Sequence, residues 1–423
     1  MIPPLPRDLY KRLRHSKFVR NTAETLATRL LVVAVGLVSS IVVARTLGPS
    51  GRGLFAVAGA VAALGIQFGN LGLHASNTYY VAKDRSALSP LLANTLVVSL
   101  LGGGGVAAVA WAAAELWPGL PPVRGPLLLL SLASIPAGLA YMLLQNLLLG
   151  LQRVRSYNLL DVSSKLAGLA LIVLVVALGA GSVETLFAVS LVVSLGCLGF
   201  ALWIVWPEIP DLPRPSFPLF QKTIRYGLKS YLTSLFTFLV LRVDLLMVKY
   251  MLGEQETGYY SIAVAMADMV YMLALVVNTL LFPRFAAIED PKVKWRLMKE
   301  TLAALTVLMV GLCVPAAALS GILIETLFGV PFLPAATPFL WLLPAVCLLG
   351  VASILMSYVA SIDIPSSAAP YACGVMLLNV ALNLELIPAY GTTGAAISSV
   401  VCYGLLIPFN AFHARRLSKA GPA

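Results

Sequence analysis

The sequence predicts an all-α integral membrane protein: about twelve transmembrane helices in two six-helix lobes, related by a pseudo-two-fold axis along the membrane normal, with both termini cytoplasmic. Three observations carry this. Composition is the first. Hydrophobic residues occupy 59% of the 423 positions and charged residues only 11%, and mean hydropathy is +0.91, whereas a soluble domain carries roughly 25% charge. The second is the placement of basic residues, and the third is an internal repeat.

Apolar runs long enough to cross a bilayer alternate with short breaks rich in Gly, Pro and charge. In the first half they cover residues 24–47, 53–80, 89–115, 126–150, 157–179 and 183–206. In the second half they cover 226–250, 257–283, 297–320, 335–361, 366–388 and 393–414. Transmembrane β-strands would read as about ten-residue segments of alternating polarity, and that pattern is missing. Helices satisfy their own backbone hydrogen bonds in lipid, so the spans are helical. The corresponding organisation is a basic cytoplasmic segment (1–23), a first lobe (24–206), a Pro-rich linker (207–219), a second lobe (220–414) and a basic tail (415–423). The N-terminal stretch MIPPLPRDLYKRLRHSKFVR resembles a signal-peptide n-region, but the apolar run behind it is too long and has no clear cleavage site, which favours an uncleaved first helix.

With the N-terminus inside, 21 of the 29 Lys and Arg residues fall in inner segments. Arg45, Arg52, Arg124 and Lys249 are left for the outer loops. This is the positive-inside asymmetry. It accounts for the net charge of +11 as topogenic and leaflet-facing, so nucleic acid is not an expected partner. The five cysteines lie inside spans and read as packing residues, and the three histidines are scattered, so no metal site and no cofactor are expected.

LGPSGRGLFAVA (Leu47 to Ala58) returns 205 positions later as LGEQETGYYSIA (Leu252 to Ala263). The first copy joins spans 1 and 2, the second spans 7 and 8. Six intervening helices give the halves the same orientation, as in parallel-repeat transporters whose binding site lies between the halves. A weaker correspondence links GAGSVETLFAVS after span 5 with YGTTGAAISSVV after span 11.

Four stretches together resemble the MOP superfamily of multidrug, oligosaccharidyl-lipid and polysaccharide exporters, in particular its polysaccharide branch. They are ARTLGPSGRGLFAVA (Ala44 to Ala58), LGLHAS (Leu71 to Ser76), RVDLLMVKYMLGEQETGYYSIA (Arg242 to Ala263) and NVALNLELIPAYGTTGAAIS (Asn379 to Ser398). The resemblance covers nearly the whole chain. It implies an inner-membrane, multi-pass flippase that moves a polyprenyl-pyrophosphate-linked oligosaccharide, an O-antigen or exopolysaccharide unit, to the outer leaflet by alternating access. Lipid-linked oligosaccharide, membrane lipid, Na+ or H+ as coupling ion and polysaccharide-assembly proteins are the implied partners.

Such a task requires a hydrated, cationic cavity, and ionisable residues inside spans are candidates because their burial is costly. Arg29, Lys165, Lys229 and Arg242 are the candidate cations. Asp161, Asp244 and Asp268 are candidate ion-coupling or structural acids. Asp161 and Lys165 stand i, i+4 with the acid first, the order that favours a local pair. Arg242 and Asp244 point apart and must each find a partner on another helix or face water. Gln67, Asn70, His74 and Asn77 follow the 3, 4, 3 spacing of one helix face, either a sugar path or interhelical glue. Gly102 to Gly105 and the in-span Pro136, Pro315 and Pro344 permit close approach or hinging.

Three alternatives were weighed. A multidrug pump of the same superfamily would favour acids in its cavity. A peptidoglycan-precursor flippase usually carries fourteen helices. A membrane glycan polymerase or ligase would need a large outer loop and a catalytic constellation. No nucleophile–base set, Asp-x-Asp motif or P-loop is present, so an enzyme is not expected.

Overall fold

The computed structural model describes residues 17–119, 121–209 and 212–419; most of the basic segment expected over 1–23 and the end of the tail lie outside them. The described chain is helical almost throughout. The first half comprises α1 (Lys17–Asn70), α2 (Leu73–Lys83), α3 (Leu88–Val97), a π-helical turn over Val98–Gly103, α4 (Gly104–Leu116), α5 (Gly125–Gly150), α6 (Val154–Ala177) and α7 (Val183–Val205). The second half comprises α8 (Phe217–Leu252), α9 (Glu254–Ala287), α10 (Pro291–Ala318), α11 (Ser320–Phe328), α12 (Ala336–Ala360), α13 (Ala368–Tyr390) and α14 (Thr392–Lys419).

Eleven of these stretches are long and apolar enough to cross a membrane, and the first, Ala27–Asn70, has the length of two crossings. Gly48, at φ 65° and ψ −178°, breaks α1 where the repeat begins. Its counterpart Gly253, at φ 90° and ψ −169°, separates α8 from α9. Only glycine adopts this backbone without penalty. Large side chains face outward along the bundle, with Val109 71%, Trp203 71% and Leu178 74% exposed, as a lipid-facing surface demands.

The second predicted span is not one helix. It breaks at Leu71 (φ 47°) and Gly72 (φ 79°) between α1 and α2. A break frees carbonyls one turn earlier, and lipid offers them no water. Tyr231 of α8 answers this, its Oη donating to the carbonyls of Gln67 (3.0 Å) and Phe68 (3.3 Å). At the same place Gly72 and Gly227 meet backbone to backbone, since a Cβ on Gly72 would lie 2.6 Å from the Gly227 carbonyl oxygen. The third span likewise carries the π-helical turn beside its glycines, and a Cβ on Gly103 would sit 3.0 Å from Pro136 Cα of α5. Of the glycines expected to permit close approach, Gly103 does so, while a Cβ on Gly104 or Gly105 would meet nothing within 4 Å.

Within the first half, α5 packs chiefly on α7 and α1, and α1 on α6; in the second half α12 packs on α14 and α9, and α13 on α8 and α14. The α1–α9 contact is the most extensive between halves. At its centre the two repeat copies touch with two-fold symmetry. A Cβ on Gly53 would collide with the Glu254 carbonyl oxygen, and a Cβ on Gly258 would collide with the Pro49 carbonyl oxygen. Since 49 pairs with 254 and 53 with 258 in the repeat, each glycine receives the same carbonyl of the opposite copy. Beside this contact Arg45 donates from Nε to the Leu327 carbonyl (2.9 Å) and from a terminal nitrogen to the Thr326 carbonyl (2.6 Å). It thereby satisfies the last carbonyls of α11, a short helix in the unpredicted stretch between spans 9 and 10. α11 and the 3₁₀ turn after it are apolar and bury Ile324, Phe328 and Phe332 in the largest core cluster.

Candidate functional site

A cavity of about 580 Å³ lies between the halves. Its walls come from α1, α6, α7 and α9, with one tyrosine from α5. Most of the lining is apolar, interrupted by hydroxyls (Ser39, Ser40, Ser190, Ser194) and by three charged residues: Arg52, Lys165 and Asp268. Lys165 and Asp268 sit near the middle of their helices, and Arg52 lies four residues past the Gly48 break. The charges therefore step from mid-membrane toward the end that carries the repeat turns.

Arg52 is the most informative of the three. Its Nε is buried without a hydrogen-bond partner, and so is the Oγ of Ser40 on the same cavity wall. No carboxylate among the described residues pairs with Arg52; its guanidinium carbon lies 5.9 Å from the Phe55 ring centre. A buried N–H without an acceptor is costly, and the planar guanidinium fork matches the oxygens of a phosphate or carboxylate. Two residues with unsatisfied buried polar atoms thus line the same cavity as Lys165, for which no ion pair with a described residue exists.

A family profile described as "polysaccharide biosynthesis protein" matches residues 42–337. The chain belongs to that family. The matched stretch contains both copies of the repeat and all three charged cavity residues, while the Asn379–Ser398 motif lies beyond it. No curated protein sequence matches. Among solved structures, the chain is similar to the lipid II flippase MurJ in an inward closed conformation, with TM-score 0.73, 14% identity, and 96% of this chain and 88% of that one covered. It is similar to an inward-facing multidrug resistance MATE family transporter of the MOP superfamily, with TM-score 0.71, 15% identity and coverages of 94% and 100%. A MOP superfamily transporter from Pyrococcus furiosus, described as having a binding pocket of reverse polarity, aligns with TM-score 0.65 and 15% identity over 95% and 96%. This polysaccharide biosynthesis family member thus shares the multi-pass helical fold of those transporters.

The structure distributes the sequence-predicted residues of this family member over several places. Asp161 does not pair locally with Lys165. It accepts from Arg29 at 3.2 Å, and Arg29 also donates to Tyr157 Oη at 3.2 Å. The longer reach across α1 and α6 wins because Arg29, which is one-third exposed, brings a fork that serves both oxygens, and Lys165 is released into the cavity. Arg242 and Asp268 pair across α8 and α9 at 3.5 Å, both substantially exposed. Asp244 is 3% exposed and accepts from Tyr260 Oη at 2.5 Å and from the Leu245 amide at 2.7 Å. Lys229 lies on α8, and its side chain is outside the described residues.

The polar stripe of the second span also changes character. The Leu71–Gly72 break interrupts the single helix face that its spacing required. Asn70 Oδ1 accepts from the His74 amide at 3.2 Å, supporting the start of α2, and its Nδ2 lies 2.7 Å from His74 Nδ1. Asn77 is buried and donates to Thr95 of α3 at 2.9 Å. Gln67 lines a second cavity, in the other half of the chain.

Sequence reasoning missed Arg52, assigning it to an outer loop. The signal was present: Arg52 falls within the first turn of the helix that follows Gly48, whereas Thr257 of the other copy is a neutral, buried residue that donates to the Gly253 carbonyl at 2.6 Å. The symmetric turn is shared, and the charge is the departure from symmetry.

Proposed function

We propose that the protein flips a polyprenyl-pyrophosphate-linked oligosaccharide from the cytoplasmic to the outer leaflet, with the pyrophosphate carried by the cavity between the halves. The buried, unpartnered Nε of the half-buried Arg52 carries this reading. An anion that accepts from Arg52 and Ser40 and lies near Lys165 relieves the unsatisfied donors, so the cavity favours a phosphorylated head over an organic cation. The serine hydroxyls of the wall suit the polar head, while the polyprenyl tail stays in the bilayer.

In this reading the two six-helix halves, 24–206 and 220–414, are the moving lobes, and both termini are cytoplasmic. The contact around Gly53 and Gly258 then closes the outer end, leaving loading from the cytoplasmic side. Asp268 is the coupling acid: it lines the cavity, stays half exposed and holds Arg242 only at 3.5 Å, so a cation or proton can replace that partner. Asp244, held by Tyr260, acts as a structural acid.

The test is reconstitution in liposomes carrying polyprenyl-diphosphate oligosaccharide in the inner leaflet, with outer-leaflet arrival read by an added glycosidase or lectin. Protein-dependent arrival is the expected result. No arrival, together with ion-driven efflux of an organic cation, overturns the proposal in favour of a multidrug pump.

A further inference from the structure

A second cavity, of about 610 Å³, lies wholly within the second half apart from Gln67. Its walls are α8, α9, α12, α13 and α14, on the half of the bundle nearer the termini. α9 divides it from the cavity already described: Asp268 and Met272 face one chamber, Tyr271 and Asn278 the other. The contrast in chemistry is sharp. Among the described residues, no Asp, Glu, Lys, Arg or His lines this second chamber, and hydroxyls or carboxamides come from every wall, the hydroxyl of α13 being that of Tyr371.

These polar groups are fixed in place. Asn278 Nδ2 donates to Ser353 Oγ at 2.7 Å, and its Oδ1 accepts from Ser357 Oγ at 2.9 Å, which pins the amide plane between α9 and α12. Tyr371 and Phe409 also line the chamber, stacked at 4.2 Å with 15° between planes, and Tyr371 Oη donates to the Leu405 carbonyl at 2.6 Å. Polar side chains that merely glue membrane helices need no space around them. Here they surround a volume within the roughly 300–1,000 Å³ range of ligand sites.

Resting on the flippase reading, we infer that this chamber is the glycan subsite, and that the sugars seated in it are uncharged. A pyranose offers hydroxyls that match fixed amides and hydroxyls, and C–H faces that pack on an aromatic plane. A uronate or phosphorylated sugar would be desolvated against described walls that offer no counter-charge, at large cost. The anionic linkage and the neutral sugars thus occupy separate rooms on the two sides of α9.

The experiment measures binding to the full-length protein in nanodiscs. The three probes are bare polyprenyl diphosphate, the same lipid bearing a neutral hexose–N-acetylhexosamine disaccharide, and the same lipid ending in a hexuronic acid. The neutral disaccharide is expected to tighten binding about tenfold over the bare lipid, as one or two well-made hydrogen bonds would, and the hexuronic acid is expected to add nothing. Met356→Trp, which fills the chamber, should abolish the gain and leave bare-lipid affinity unchanged. If this variant also loses the bare lipid, Asn278→Ala, which removes atoms instead of adding them, decides by the same ratio. A wild-type protein that binds the neutral and bare lipids equally overturns the glycan subsite, as does a gain that survives both substitutions; the flippase reading then still stands. A wild-type protein that binds none of the three lipids overturns the flippase reading and this inference with it.

Discussion

Arg52 and Asp268 meet the same cavity with opposite charge, and their surroundings give them different work. Arg52 Nε is buried and unsatisfied, so its free energy improves when an anion arrives. Arg52→Ala is expected to lower flipping of a diphosphate-linked lipid roughly 10- to 100-fold, the equivalent of one charge-assisted hydrogen bond, and Arg52→Lys to restore only part of it because an ammonium lacks the fork. A flipping assay normalised to inserted protein checks this, and unchanged flipping in Arg52→Ala removes Arg52 from the site. Asp268 instead already has a partner, at 3.5 Å, and its side chain is half exposed. Asp268→Asn is expected to leave binding of the diphosphate lipid within about threefold, since a solvent-exposed pair contributes little, while flipping loses its response to an imposed Na+ or proton gradient. A response that persists in Asp268→Asn places coupling elsewhere. Burial costs singled out the in-span charges from the sequence, but not their pairing. Arg29 reaches Asp161 over 132 positions, a distance that i, i+4 reasoning cannot register.

At the scale of elements, the boundaries of the helices were legible because hydrocarbon thickness and punctuation by Gly, Pro and charge set them together. The span expected over 126–150 is α5 (Gly125–Gly150), and that over 183–206 is α7 (Val183–Val205). The interior irregularities were not legible. Nothing local marks Leu71 as a residue with φ 47°; the break is held by Tyr231 and Gly227, both more than 150 positions away. The repeat was legible as a turn, but its use was hidden, since symmetry in sequence does not say that the copies touch. Their contact gives a direct expectation. Gly258→Ala must displace the Pro49 carbonyl, and overpacking of this kind costs about 1–3 kcal/mol in the state that contains it. The cost falls only on the conformation in which the two turns meet. Accessibility of Ser50 and Gln255, both exposed near the contact, to a water-soluble thiol reagent after replacement by cysteine should then be unchanged, whereas that of a cysteine at buried Thr257 should rise. Equal labelling of Thr257→Cys with and without Gly258→Ala shows that the contact does not close this end.

For the whole molecule, the contacts between halves are concentrated on few groups. At the end bearing the repeat turns, α1 meets α9 through the glycine pair, and Arg45 reaches from the first half to the terminal carbonyls of α11 in the second. Toward the other end the contact runs through Gly72 and Gly227 and through Tyr79 stacked on Tyr226 at 4.5 Å. The proposed alternating access requires the first set to separate, and Arg45 is the member whose removal disturbs no core, because its side chain is exposed and its partners are backbone oxygens. Each such bond at a helix C-terminus contributes about 0.3–1 kcal/mol. Loss of both in Arg45→Gln therefore shifts a two-state equilibrium roughly three- to thirtyfold toward the conformation open at this end. Spin labels at Leu178 and Val330, exposed positions on the two halves at this end, read the shift as a longer-distance population that grows in Arg45→Gln and shrinks when the diphosphate lipid is withheld from the opposite side. An unaltered distance distribution means that the closed arrangement is held by the α1–α9 packing alone, and Gly258→Ala, not Arg45→Gln, becomes the substitution that opens it.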